Sequence, residues 1–217
     1  MEATIDVPRR TPRQLRSRDT VEVLLEAAAQ VFQREGYAAT TNRIADRAGV
    51  SIGSLYQYFP NKNAILHALA ERHLADATET LTGLFAALRV EKPPLEPLLR
   101  RIIETVLALH ARHPVTHRLL FERSPRTPGN LDRLARLEEL LVGELADHLD
   151  RLDAGGPDRR LTARLLVTGV EAQLHRVLID RSPEELPPAV GALVDLLTNG
   201  LARRPGGRRP DLAGRPP

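Results

Sequence analysis

Along most of this 217-residue chain, apolar side chains return at every third or fourth position. No segment alternates with the two-residue period of a strand, and no internal repeat is visible, so the pattern predicts an all-α fold. In DTVEVLLEAAAQVFQREG, residues 19–36, one stripe is formed by Val21, Leu24, Leu25, Ala28, Val31 and Phe32. Asp19 followed by Glu22 predicts a capping box at its start, and Gly36 supplies the stop. Thr40 is the expected N-cap of a short second helix that Gly49 ends, and Ser51 caps a third reaching about Tyr58. Asn61 then starts a long fourth helix whose stripe includes Leu66, Leu69, His73, Ala77, Leu81, Leu84 and Leu88. Beyond Pro93, Pro94 and Pro97, further helices are expected at roughly 95–112, 114–123, 130–152, 159–181 and 185–203, about nine in all. Pro114 and the stretches SPRTPGN, AGGPD and RSPEELPP punctuate them.

Composition removes several function classes. With no cysteine, neither a disulfide nor a thiolate metal site can form. The longest apolar runs fall far short of the roughly 20 residues of a membrane span, and no apolar segment follows the basic N-terminus as in a secretory signal. A cytoplasmic protein without membrane contact is expected. There is no Gly-rich phosphate loop and no nucleophile elbow, so no enzyme is expected. A formal charge of +3 is too small to demand a polyanionic partner, which leaves the distribution of charge to decide.

That distribution is informative at AGVSIGSLYQYFPNK, residues 48–62. Tyr56, Tyr58 and Phe59, three of the seven aromatic residues, stand together there, and no acidic residue occurs from 47 to 70. Two short helices joined by a Gly-containing turn make a helix-turn-helix, whose second helix enters the DNA major groove. Carboxylates facing phosphates would meet like charge, whereas small and hydroxyl side chains allow close approach. Leu55 and Phe59, four apart, read as core rather than contact residues.

The stretch GYAATTNRIADRAGVSIGSLYQYFPNKNAIL, residues 36–66, resembles the DNA-binding signature of the TetR (tetracycline repressor-like) family of bacterial transcription regulators. The likeness covers about residues 20–66 and keeps G-Y, T-T, I-A-x-x-A-G-V-S, L-Y-x-Y-F and x-K in register. It implies that Thr40, Thr41, Tyr58 and Lys62 touch phosphates. Asn42, Ser51, Ile52, Gly53, Ser54, Tyr56 and Gln57 would then lie near base edges, Ile52 against a thymine methyl or nothing. The expected organisation is a flexible basic arm (1–18), a three-helix helix-turn-helix domain (19–62), a helical-bundle ligand-binding and dimerisation domain (63–203) and a disordered tail (204–217). The arm, with five arginines between Arg9 and Arg18, reads equally as a DNA contact or a solvated tail.

The resemblance also implies a repressor released from a pseudo-palindromic double-stranded operator by a small effector. Helices four to eight supply mainly Leu, Val and Ala, with Phe85 and Phe121 as aromatics, which suits a largely apolar effector. Leu174 is a candidate wall residue, and His110, His117, Glu171 and His175 are candidate orienting groups. Glu171 shares a face with Val167, Val170, Leu174 and Leu178, so it needs a partner from the fold, from a second subunit or from a ligand. In HARHPVTH, His110, His113 and His117 have helical spacing, but Pro114 interrupts them and neither Cys nor a nearby Asp completes a set. No metal and no cofactor are expected. A homodimer is expected through the last two long helices, with Val190, Leu193, Val194, Leu197 and Leu201 as its stripe. The reading left open beside this one is a helical ligand-binding or interaction module that has lost specific DNA binding.

Overall fold

The computed structural model describes residues 15–111, 113–123, 127–178 and 181–202, without the side chains of residues 15–18, 121 and 175. The basic arm up to residue 14 and the tail from residue 203 lie outside the described residues. Those described form nine α-helices and no strand: α1 (Leu15–Glu35), α2 (Thr41–Ala48), α3 (Ile52–Tyr58), α4 (Lys62–Glu91), α5 (Leu95–Ala111), α6 (Pro114–Arg123), α7 (Pro128–Arg151), α8 (Arg159–Gln173) and α9 (Leu186–Leu201). A 3₁₀ turn, Gly36–Ala38, follows α1, and a π-helical turn, Leu174–Leu178, follows α8.

Two local expectations need correction. α1 begins at Leu15, so Asp19 lies one turn inside it and forms no capping box. Leu15, Arg16 and Arg18 favour helix and continue α1 on the N-terminal side of Asp19. The helix expected at 159–181 instead leaves α geometry at Leu174, whose turn widens to the i→i+5 pattern while Leu174 and Leu178 stay buried.

The caps of the N-terminal unit follow the sequence closely. Thr40, Ser51 and Asn61 side chains accept from Arg43 N, Ser54 N and Ala64 N, satisfying donors that have no intrahelical partner. Gly49 ends α2 with φ +69°, and its N–H and that of Val50 reach the Asp46 and Ala45 carbonyls. These caps orient α1–α3 and the start of α4 around one core that includes Leu24, Ala28, Phe32, Ile44, Leu55, Phe59, Ile65 and Leu66.

α4 runs for 30 residues, about 45 Å at 1.5 Å per residue, and leaves this core to enter the second domain. There Phe85 and Leu88 join a cluster with α5, α7, α8 and Leu201, while Ala77 and Leu81 join a smaller one with Leu137. A third cluster unites Ile103 and Leu107 of α5 with Leu174, Leu178, Val190, Leu193 and Val194. α6 binds the two domains together. Leu119 enters the N-terminal core, Thr116 Oγ1 donates to Ala29 O at 2.9 Å, and Gln33 Oε1 accepts from Val115 N at 3.0 Å.

Candidate nucleic-acid interface and regulatory pocket

The helix-turn-helix unit divides its residues cleanly between inside and outside. Ile44, Ala45, Leu55 and Phe59 are at most 1% exposed, which anchors α2 and α3 on α1 and α4. None of Thr40, Thr41, Asn42, Ser51, Ile52, Gly53, Ser54, Tyr56, Gln57, Tyr58 and Lys62 is buried. Several of these are held in place before any partner arrives. Thr41 Oγ1 and the Tyr56 hydroxyl are 3.1 Å apart, linking α2 to α3 across the turn. Ser51 Oγ accepts from Ser54 N at 3.1 Å and lies 2.8 Å from Ser54 Oγ. Tyr58 packs its ring against the core. Lys62 Nζ donates to Tyr37 O at 2.6 Å and sits 3.8 Å from the centre of the Tyr37 ring.

Sequence reasoning had not assigned Tyr37, Arg43 or Arg47 to this surface. Tyr37 is 42% exposed and fixes the Lys62 ammonium. Arg43 and Arg47 are exposed on α2, paired with Glu35 at 2.9 Å and Gln30 at 2.8 Å. Their spacing of four, just before the turn, was the available signal.

A cavity of about 470 Å³ opens between α4, α5, α6, α7, α8 and the π-helical turn. Phe85, His110, His117, Glu171 and Leu174 line it, with Leu81, Ile103, Val106, Leu141 and Leu166 supplying apolar wall. Phe121 belongs to α6 and His175 to the π-helical turn, and both side chains lie outside those described. The Glu171 side chain is solvent-accessible, yet partial desolvation, and then the nearby Glu138 carboxylate, push its carboxyl above the usual range. His148, buried beside Phe85 with ring centres 6.2 Å apart, is held below the usual histidine range by desolvation and by Arg151. Arg151 Nη2 lies 3.3 Å from His148 Nδ1, which makes Nδ1 the acceptor and puts the neutral ring's proton on Nε2.

The histidines form a group that sequence spacing did not predict. His110 and His117 meet across the break at Pro114 with ring centres 3.8 Å apart, and His73 of α4 joins them at 5.5 and 4.7 Å. His113 is not part of this group.

The stripe expected at a dimer interface is used inside the chain. Val190, Leu193, Val194 and Leu201 are at most 8% exposed within one protomer, and Leu197 packs against the same clusters. Within one protomer these side chains meet α5, along which α9 lies. The outward residues are Leu196, 64% exposed, and on α8 Leu161 and Leu165, 53% and 63% exposed.

Two capped short helices, the second (α3) without a carboxylate, joined by one long helix to a hollow helical domain, define a helix-turn-helix regulator with a second all-α domain. The description of the tetR family of bacterial regulatory proteins matches residues 24–69, and that of the tetracyclin repressor-like C-terminal domain matches residues 94–201. The chain belongs to the tetR family: it is a DNA-binding transcription regulator and not an enzyme. It is 31% identical over 185 residues to the nucleoid occlusion factor SlmA of Haemophilus ducreyi, covering 82% of this chain and 87% of that one. It is 29% identical to the transcriptional activator FasR of Mycolicibacterium smegmatis over 84% of this chain and 83% of that one. Among solved structures, FadR from Bacillus subtilis in complex with stearoyl-CoA shares the fold with a TM-score of 0.62 and 21% identity, covering 82% of this chain and 98% of that chain. No helix among the described residues is long and apolar enough to cross a membrane.

Proposed function

We propose that this regulator is a homodimeric repressor released from a pseudo-palindromic operator by a small, largely apolar effector. The observation that carries the reading is the 470 Å³ apolar cavity against α4, the helix whose first turn holds Lys62. The stearoyl-CoA bound by the Bacillus subtilis relative supports an effector with an apolar chain and a polar end. Thr40, Thr41, Tyr58 and Lys62 position the phosphates; Asn42, Ser51, Ile52, Gly53, Ser54, Tyr56 and Gln57 face the bases. Two protomers pack Leu161 and Leu165 of α8 and Leu196 of α9 against their symmetry mates, so that two α3 helices reach successive major grooves.

An effector that fits only one tilt of α4 changes the distance between the two α3 helices and depletes the DNA-competent state. Moving that balance from 1:99 to 99:1 takes about 5.5 kcal/mol of differential affinity. The test is selection of bound sequences from random DNA, followed by titration of the complex with fatty acids and acyl-CoAs of graded chain length. Release that sharpens with chain length and then fails beyond the cavity's capacity is expected. A selected operator that none of these ligands releases would remove the effector part of the proposal. Failure to select any sequence favours the helical module without specific DNA binding.

A further inference from the structure

We infer that His73, His110 and His117 form a binding site for a divalent transition-metal ion of the zinc class, independent of the effector reading above. Each offers one ring nitrogen, and the three nitrogens lie within 4.8 Å of one another. They come from α4, α5 and α6, so the group is made by the tertiary fold and not by a local run. His110 and His117 are buried and His73 half-buried, which places three imidazole nitrogens in a shielded position. Imidazole suits zinc, copper, nickel and iron, whereas calcium and magnesium prefer oxygen donors, so the donor set selects the class of ion.

The surroundings provide a route of entry. The three histidines stand between the apolar cavity and a second recess of about 890 Å³, and they line both. In that second recess Glu22, Glu26, Asp76, Glu79 and Glu104 outnumber Arg72 and Arg101, giving a negative approach for a cation. A tetrahedral ion with nitrogens at about 2.0–2.1 Å keeps them about 3.4 Å apart, so the rings must close by about 1.4 Å from the 4.8 Å limit. Three protein donors leave one tetrahedral position for water or another small ligand. An ion held there joins α4 and α5 to α6, which is seated on α1 through Thr116 and Gln33.

The test uses the full chain without a histidine tag, dialysed against chelator and titrated with Co²⁺ and then Zn²⁺. One equivalent per chain is expected, with the visible absorption of nitrogen-coordinated Co²⁺ and its displacement by Zn²⁺. His73→Asn, His110→Asn and His117→Asn should each weaken binding by about 100-fold or more, beyond the 10–100-fold of an outer-shell change. His113→Asn, outside the group, should bind as wild type. Far-UV circular dichroism identifies any variant that fails to fold; for such a variant the wild-type spectrum and stoichiometry decide alone. Absence of stoichiometric Co²⁺ binding to the wild-type chain overturns the site and leaves three packed rings. Equal loss in His113→Asn, or wild-type affinity in all three cluster variants, overturns it as well.

Discussion

The two domains are built from the same helical period and reach opposite results. Around α1–α3, a single core closes over Phe32, Leu55 and Phe59, each at most 1% exposed, and three side-chain caps fix the helix starts. Beyond Ala70, apolar burial is divided among three smaller clusters arranged around a cavity. A close-packed unit resists small displacements, because each one costs contacts on every side. A hollow unit has residues with few neighbours on their cavity side, and a ligand can supply the missing contacts. The first suits a rigid reader of DNA and the second a deformable sensor.

The largest test of that contrast compares one chemical change in two places. Leu55→Ala, in the closed core, should destabilise by about 4 kcal/mol, within the usual range for buried leucine truncations. Leu81→Ala, on the cavity wall, should cost about 2 kcal/mol, since its neighbours already leave one side open. Urea unfolding of both variants measures the difference. Equal losses would mean that the second domain is as tightly packed as the first.

A second test separates the outward side of α8 and α9 from the inward side of α9. Leu196→Arg and Leu165→Arg should give folded monomers with weak operator binding, because both residues point outward. Leu193→Arg buries a charge in the protomer's own core and should cost 3 kcal/mol or more, by the order of a broken buried ion pair. Sedimentation and circular dichroism distinguish these outcomes. A folded monomer from Leu193→Arg would restore the stripe first assigned to the interface.

Within the reader, smaller effects should sort by contact type. Gln57→Ala should change preference among operators by about 1–3 kcal/mol per lost base contact. Lys62→Ala should weaken all sequences alike and lower the salt slope by about one unit. Tyr58→Phe should weaken them without changing that slope. Binding isotherms on several operators at several salt concentrations check all three, and an unchanged slope for Lys62→Ala would leave its ammonium as a partner of Tyr37 only.

The reader was largely legible in the sequence because its determinants are local. Thr40, Gly49, Ser51 and Asn61 specify their turns within four residues, and each is found in that role. The sensor was legible in its helices and less so in its contacts. Period shows that Val190, Leu193 and Val194 share a face but cannot say whether α5 or a second subunit covers it. The π-helical turn at Leu174 has no local marker such as proline or glycine. His73 lies 37 residues before His110, a separation that no spacing rule connects, and only the packing of α5 and α6 against α4 brings them together.

The smallest expected effect concerns two carboxylates on the α7–α8 side of the sensor, shifted in opposite directions. Glu171 is raised by partial desolvation and then by Glu138, so the folded protein binds its proton more tightly than the unfolded chain does. Stability from this group therefore falls as pH rises past the ordinary carboxyl value, and the penalty is complete above the folded value. Glu171→Gln should raise stability at neutral pH, and Tm with it, by no more than the ~0.5 kcal/mol of a typical surface substitution, and match wild type near pH 4. Glu139 is lowered by its hydrogen bond with Arg164, so its contribution is present above the ordinary carboxyl value and lost as pH falls through the folded one. Glu139→Gln should lower Tm at neutral pH and approach wild type in acid. Thermal melts from pH 4 to 8 read both differences. The same sign for the two variants would mean that Glu171 is as well solvated or paired as Glu139, and that the cavity mouth does not disfavour its charge.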